Sequence, residues 1–313
     1  MTSALIPDQI TRISAPDLTR DLDLLDDEVV KLLDCAREVK SAPGRYGQAL
    51  AGKSIAIFFE KPSLRTRLTF ELGIQQLGGI AVSGEGTIGE REALKDVARN
   101  LDRWVNAIVA RTFAQRTIEE LALWSSVPVI NALSDLYHPC QALADVFTMA
   151  ERCGELRGLK LAFVGDGNNV AHSLMLTALR LGVNFSIATP AGYEPDPEVA
   201  ASARRVAAVS GATLEIINSP EEAVAGAHAV YTDVWASMGH EAEVEQRRRD
   251  FAAYQVNETL FAQARSDAIF MHCLPAKRGE EVADAVIECS RSAVFDQAEN
   301  RLHAQKALLL MML

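Results

Sequence analysis

Basic charge is in short supply: 31 lysines and arginines stand against 42 acidic residues, a net charge of -11. With a pI near 5.1 there is no global attraction to nucleic acid or to an anionic membrane, so an anionic ligand has to be met by a local cationic pocket. Arginine position therefore matters more than arginine count. Long hydrophobic runs are missing as well. Nothing approaches the roughly 20 apolar residues that span a bilayer, and the closing ALLLMML is too short and reads as a packed helix end. The opening MTSALIPDQITRISAPDL has neither the basic segment nor the continuous apolar stretch of a signal peptide. Five cysteines, Cys35, Cys140, Cys153, Cys273 and Cys289, are odd in number and scattered without CxxC spacing. That pattern points to reduced thiols in a cytoplasm rather than to a disulfide framework. There is no low-complexity tract and no short-period repeat.

What is present is a soluble globular composition, 49% hydrophobic and 23% charged, over 313 residues, which exceeds the usual size of a single core and favours two domains. Short β-branched runs alternate with helix-period segments. The first half offers strands at 54–59, 79–83, 107–111 and 127–133, with a helical pattern at 91–104; the second half offers strands at 160–164, 184–189, 213–217, 228–232 and 268–272. Such alternation predicts an α/β fold of two domains, each a parallel sheet flanked by helices with right-handed crossovers. Helical patterns at 139–156 and 297–313 are placed to join the two sheets and to return the chain to the first. The expected domains are residues 1–137, completed by a C-terminal helix at 290–313, and residues 138–289, beginning with the linking helix.

In parallel α/β domains ligands collect at the C-terminal ends of strands, where helix N-termini point. Each of the polar clusters singled out below falls at such a position. In FFEKPSLRTRLTFELG, Ser63 is placed to cap a helix whose buried stripe is expected at Leu64, Leu68 and Leu72. Backbone N–H groups, the hydroxyls of Ser63 or Thr66 and the Arg65 guanidinium then converge as they do in phosphate sites; a capped helix with solvated arginines is the plainer alternative. VGDGNNVAHSLM resembles a dinucleotide fingerprint, yet Val170 stands where a third glycine is wanted, and NFSIATP ends without the acid that holds a ribose. Nicotinamide binding is therefore the lesser reading, and Asn168 and Asn169 suit either an amino acid's polar groups or helix capping. HPCQ and MHCLPA hold two His/Cys pairs, but neighbours on an extended strand face opposite ways, which speaks against a His272–Cys273 dyad. His172, His228 and His303 read as hydrogen-bonded core residues, and no zinc spacing stands out. Asp233, at a strand end in DVWASMGHE, is well placed for a substrate ammonium.

Taken together, FFEKPSLRTR, ARTF, HPCQ, VGDGNNVAHSLM, DVWASMGHE, HCLPA and AENR resemble, in order and spacing, the ornithine branch of the aspartate/ornithine carbamoyltransferase family. The resemblance covers the chain from about residue 50 onward. It implies that carbamoyl phosphate is held by Ser63, Leu64 through its backbone, Arg65, Thr66, Arg111, His138, Gln141 and Arg301. It implies that L-ornithine is held by Asn169, Asp233, Ser237, Met238, Cys273 and Leu274. Arg65, Thr66, Arg111, His138 and Cys273 are the residues implied in catalysis, Arg65, Thr66 and His138 as polarisers of the carbonyl. It further implies a homotrimer with active sites near subunit interfaces, no metal, no organic cofactor, and no nucleic-acid or membrane partner. The relatives that act on acetylornithine, succinylornithine or putrescine, and a silent paralogue of the same fold, are the competing readings.

Two departures from the family pattern stand out. Leu64 occupies a place where many members have threonine. Thr87 stands in GEGTIGERE where the family often offers a glutamine or histidine to the neighbouring subunit, and a threonine reaches less far. Arg67 reads as a structural ion-pairing residue.

Overall fold

The computed structural model describes residues 10–61, 63–84, 86–236 and 243–313. It divides into two compact units, Met1–Ala144 with Asn300–Leu313, and Asp145–Glu299. The divisions at 144/145 and 299/300 fall inside two helices, Pro139–Cys153 (α5) and Val294–Met312 (α12).

In the first unit, strands β1 (Ser54–Phe59), β2 (Ile80–Gly84), β3 (Ala107–Arg111) and β4 (Val129–Leu133) form one sheet in the order β2-β1-β3-β4. All of its pairings are parallel. Helices α1 (Asp26–Ser41), α2 (Leu64–Gln76), α3 (Leu94–Leu101) and α4 (Gln115–Trp124) accompany the strands. In the second unit, β5 (Lys160–Val164), β6 (Asn184–Ala188), β7 (Leu214–Ile217), β8 (Ala229–Thr232) and β9 (Ile269–His272) form a parallel sheet in the order β7-β6-β5-β8-β9. Its helices are α6 (Asn169–Arg180), α7 (Pro197–Ser210), α8 (Pro220–Val224), α9 (Val244–Asp250), α10 (Glu258–Phe261) and α11 (Asp284–Ile287). The expected strands are all present, with ends shifted by up to two residues. Strands β3, β4, β8 and β9 are almost wholly buried, as parallel strands covered on both faces must be.

Strand order places the polar clusters. In each sheet the winding direction reverses once, between β1 and β3 in the first and between β5 and β8 in the second. At such a reversal the two following loops diverge and leave a crevice beyond the strand ends. The loop that leaves β1 carries Ser63 and the last residue of β3 is Arg111; the loops that leave β5 and β8 carry Asn168 and Asp233.

The buried stripe of α2 differs from expectation. Leu64, Leu68 and Leu72 are 69%, 45% and 45% exposed, while Thr66, Phe70, Gly73 and Ile74 are buried. The helix is turned so that Thr66, which has to reach Arg301, points inward and carries the Phe70, Gly73 and Ile74 positions with it. Ile80 and Val82 on β2, an edge strand, are also exposed. Ser63 does sit at the N-cap position, but its side chain makes no capping bond.

The glycine turn after β5 is used for packing. A Cβ at Gly167 would lie 2.3 Å from the Pro195 nitrogen and 2.5 Å from the Glu194 carbonyl carbon, so the chain segment at 194–195 packs directly against this glycine. The Gly167→Ala variant is expected to lose about 1–3 kcal/mol through overpacking against a backbone that has no side chain to move aside, measured by urea unfolding against wild type; an unchanged midpoint would contradict this packing.

Candidate active site

In the first unit the cluster forms around the N-terminus of α2. Arg111 ends β3 at a shift in the β3–β4 register between Ala110 and Arg111, the kind of irregularity that re-aims a side chain. Its Nη1 donates to Ser63 Oγ at 3.1 Å. This explains the missing cap: the Ser63 hydroxyl serves Arg111 in place of its own helix. Arg301 on α12 donates from Nη2 to Thr66 Oγ1, and both residues are buried. Arg65 is half-buried beside Ser63, whereas the Leu64 side chain points to solvent. Glu60 pins the neighbouring loops, accepting the Phe113 N–H at 2.8 Å and the Ile88 N–H at 3.2 Å.

His138 and Gln141 enter from the start of α5 and are both buried. A buried polar set holds the chain segment just before them, the Ser134 hydroxyl accepting the Leu136 and Tyr137 N–H groups at 3.3 and 3.1 Å. Ser134 donates from Oγ to Gln115 Oε1 at 2.6 Å, and Asn131 Nδ2 donates to the same oxygen at 3.2 Å. The pKa of His138 is driven well below the usual imidazole value, first by burial and then by the positive charges of Arg301 and Arg111. His138 is therefore neutral at ordinary pH, and its ring works as a neutral hydrogen-bonding group. Cys140 nearby is a structural thiol: Sγ donates to the Asn131 carbonyl at 3.4 Å, and burial pushes its pKa up to about 12. That leaves no thiolate for a His138–Cys140 dyad. Thr87 is exposed in the loop after β2. Arg67 stacks over the Phe59 ring and approaches Glu71 at 4.0 Å, in keeping with a structural part.

In the second unit the centre is Asp233. Its Oδ2 accepts Asn168 Nδ2 at 2.9 Å, and its Oδ1 accepts the Cys273 thiol at 3.0 Å and the Val234 N–H at 2.8 Å. Asn168 also caps α6, its Oδ1 accepting the N–H groups of Val170 and Ala171, so one amide performs both the structural and the site-orienting task. Asn169 is the first residue of α6 and half-buried. Leu274 has a left-handed backbone, φ +57°, which costs a leucine on the order of 1–2 kcal/mol. Its N–H donates to His272 Nδ1 at 2.9 Å, while His272 Nε2 lies 3.0 Å from Glu281 Oε1. Because Nδ1 accepts, Nε2 carries the proton and donates it to Glu281. The His272 N–H donates to Gln297, which in turn donates to Asp145 at 2.7 Å and to the Tyr231 hydroxyl at 3.1 Å. Ser237 and Met238 lie outside the described residues.

A His272–Cys273 dyad is excluded by engagement rather than by strand alternation. The strand ends at His272, so strict alternation fails at the next residue, and Asp233, His272 and Cys273 bring one ligand-type atom each within 4.8 Å of one another. Among the described residues this is the group whose donors could hold a metal ion. Each partner of the dyad is otherwise occupied: the ring nitrogens with Leu274 and Glu281, the thiol with Asp233. His172 is a satisfied buried residue and His228 a satisfied half-buried one, accepting the N–H groups of Asp196 at 2.9 Å and Lys160 at 3.0 Å. Sequence reasoning missed Glu281, Glu60 and Arg247. The last is buried and donates to Asp166 at 2.8 Å and to the Trp235 carbonyl at 2.9 Å, with a further contact to Glu243 at 2.9 Å. The burial of Glu281 and Arg247, and the two remote N–H groups that half-buried Glu60 accepts, are signals that a sequence does not display.

Residues 17–151 match the family model "Aspartate/ornithine carbamoyltransferase, carbamoyl-P binding domain", and residues 157–312 match "Aspartate/ornithine carbamoyltransferase, Asp/Orn binding domain". The chain belongs to the aspartate/ornithine carbamoyltransferase family. Within that family it is 51% identical to the ornithine carbamoyltransferase of Thermococcus kodakarensis over 292 residues, 92% of this chain and 93% of that one. It is 52% identical to the Anoxybacillus flavithermus protein of the same name, over 92% of this chain and 93% of that one. The solved structure of the Pyrococcus furiosus ornithine carbamoyltransferase superposes with a TM-score of 0.92 at 48% identity, covering 95% of this chain and 96% of that one. The two family domains follow the order in which the carbamoyltransferase clusters occur along this chain.

Because His138 is buried neutral, the folded state resists protonating it while the unfolded chain does not. Stability attributable to His138 is complete above the unfolded value near 6.5 and falls as pH drops below it, by at most about 1.4 kcal/mol per pH unit. Urea titrations from pH 7.5 to 5 are expected to show a shallower loss of stability in His138→Gln than in wild type; parallel curves would refute the assignment.

Proposed function

We propose that the chain is an ornithine carbamoyltransferase, which transfers the carbamoyl group of carbamoyl phosphate to the δ-amine of L-ornithine to give L-citrulline and phosphate. The observation that carries this reading is the polar cluster at the N-terminus of α2, where two guanidinium groups, from Arg111 and Arg301, hydrogen-bond the Ser63 and Thr66 hydroxyls beside a neutral histidine. Relatives at about half identity that bear the name support it.

Carbamoyl phosphate is assigned to the first unit, with Ser63, the Leu64 backbone, Arg65, Thr66, Arg111, His138, Gln141 and Arg301 as its binding groups. The solvent-facing Leu64 side chain is compatible with a backbone contact. Ornithine is assigned to the second unit. There Asp233 takes the α-ammonium, together with Asn169, Ser237 and Met238, and Cys273 and Leu274 flank the δ-amine. The neutral amine attacks the carbonyl carbon, negative charge develops on the carbonyl oxygen, and the C–O bond to phosphate breaks as the phosphate takes the electron pair. Donors fixed toward both oxygens stabilise that redistribution more than they stabilise the ground state. A guanidinium suits the phosphate because it binds in bidentate fashion and keeps its charge at any working pH. Neutral His138 can donate to the carbonyl oxygen without surrendering a full proton. The departing phosphate accepts the proton from the amine, so no strong base is required.

The active assembly is read as a homotrimer in the cytoplasm. Leu64, Leu68 and Leu72 present an apolar stripe on α2, and the edge strand β2 adds exposed Ile80 and Val82; a second copy of the chain is the occupant that would cover them and receive Thr87. Sedimentation of wild type is expected to give a trimer, and the triple change of Leu64, Leu68 and Leu72 to serine is expected to shift it toward monomer. A wild-type monomer would overturn this part of the reading.

Incubating the purified protein with both substrates is expected to yield citrulline, and the absence of citrulline above background would sink the function. Arg65→Ala is expected to lose about 3 kcal/mol or more of transition-state stabilisation, read as a fall of at least about 100-fold in kcat/KM. Asp233→Asn is expected mainly to raise the KM for ornithine. If it altered only carbamoyl phosphate binding, the division of labour between the units would be wrong.

A further inference from the structure

Lys306 lies about two turns from the C-terminal end of α12, belongs to none of the clusters above, and is completely buried. A buried ammonium is costly unless it is compensated. Here Nζ donates to Gln76 Oε1 at 3.1 Å. Gln76 is the last residue of α2 and is itself exposed, so its amide closes over the ammonium. The C-terminal end of α2 supplies a second compensation, since a helix carries partial negative charge there. The stem of the same lysine lies on the middle of α2. A Cβ at Gly73 would come within 3.2 Å of Lys306 Cγ and 3.5 Å of Leu302 Cδ1, so the absent side chain at Gly73 is what lets the two helices approach this closely.

Helix α12 therefore grips α2 at three levels: Arg301 on Thr66 in the first turn of α2, Leu302 and the Lys306 stem on Gly73, and the Lys306 ammonium on Gln76. Thr66 and Gln76 are about 15 Å apart along a helix of 1.5 Å rise per residue. One polar contact at one end would leave α2 free to slide or pivot about it; a second at the other end removes that freedom. We propose that Lys306 is a positioning residue of the anion site: through Gly73 and Gln76 it sets the register of α2 along α12, and so the place of Ser63, Arg65 and Thr66 relative to Arg301. The inference rests on reading the N-terminus of α2 as the carbamoyl phosphate site. Burial lowers the Lys306 pKa, which fits a lysine kept for where its amine sits rather than for exposed charge.

The test uses the full-length protein, with inorganic phosphate and carbamoyl phosphate as calorimetric probes and steady-state kinetics alongside. Lys306→Met preserves the stem and removes the donor. It is expected to weaken binding of both anions about tenfold, in line with the sensitivity of positioned sites to small shifts, while the thermal midpoint stays equal or rises because a desolvated amine is gone. Gln76→Glu, which keeps an acceptor, is expected to bind within about twofold of wild type, and Gln76→Leu to weaken binding severalfold. Anion affinities within about twofold of wild type in Lys306→Met overturn the proposal, whatever the midpoint does. Should Lys306→Met fail to fold, the exposed Gln76→Leu decides the matter, and unchanged anion affinity there overturns it equally. A wild type that binds phosphate yet makes no citrulline refutes the transferase reading and leaves this inference standing; a wild type that binds neither anion refutes both.

Discussion

The hydrogen bond from the Arg301 guanidinium to the Thr66 hydroxyl joins residues 235 positions apart, and much of the first unit is arranged around it. Thr66 must point inward to be reached, which fixes the rotation of α2 and sends its three leucines outward. That rotation leaves Ser63 at the crevice where Arg111 can use its hydroxyl. Burial first, and then the same guanidinium together with Arg111, keep His138 neutral. A single buried contact thus links helix orientation, exposed surface and the protonation state of a third side chain.

In the second unit the equivalent constraint is the buried polar chain that holds the end of β9. Gln297, Tyr231 and Asp145 secure the His272 backbone. Glu281 secures its ring, and the ring secures Leu274 in a left-handed conformation that leucine avoids unless it is held. Cys273 and Asp233 are thereby locked together. Such networks are favourable only when their members are satisfied, which explains why a run as short as HCLP needs partners drawn from several other segments.

The α/β class and the strand positions were legible because parallel strands buried on both faces read as short apolar runs whatever their partners. Asp233 and the residues around Arg65 were legible because strand ends in such folds are where ligands meet helix N-termini. The leucine stripe was misread for a definite reason. Leu64, Leu68 and Leu72 keep helical spacing as well as any core stripe does, and spacing reports that a face is apolar without reporting what covers it. The Ser63 cap failed because a remote arginine competes for its hydroxyl, and strand alternation gave no guide at His272–Cys273 because the strand ends there. Glu281, Arg247 and Lys306 were invisible, since an isolated charged residue in sequence is usually a solvated one.

The sequence by itself determined the succession of strands and helices, the loops that carry polar groups, and through seven short motifs the family to which the chain belongs. These depend on local spacing and on the chemistry of individual residues, both of which a linear chain displays. Only the tertiary structure decided which way α2 faces, which hydroxyl meets which guanidinium, that His138 is neutral, and that Lys306 is buried against Gly73. Each of these depends on groups brought together from distant parts of the chain, and the energy of a polar group is set by what surrounds it in space rather than by its neighbours in sequence.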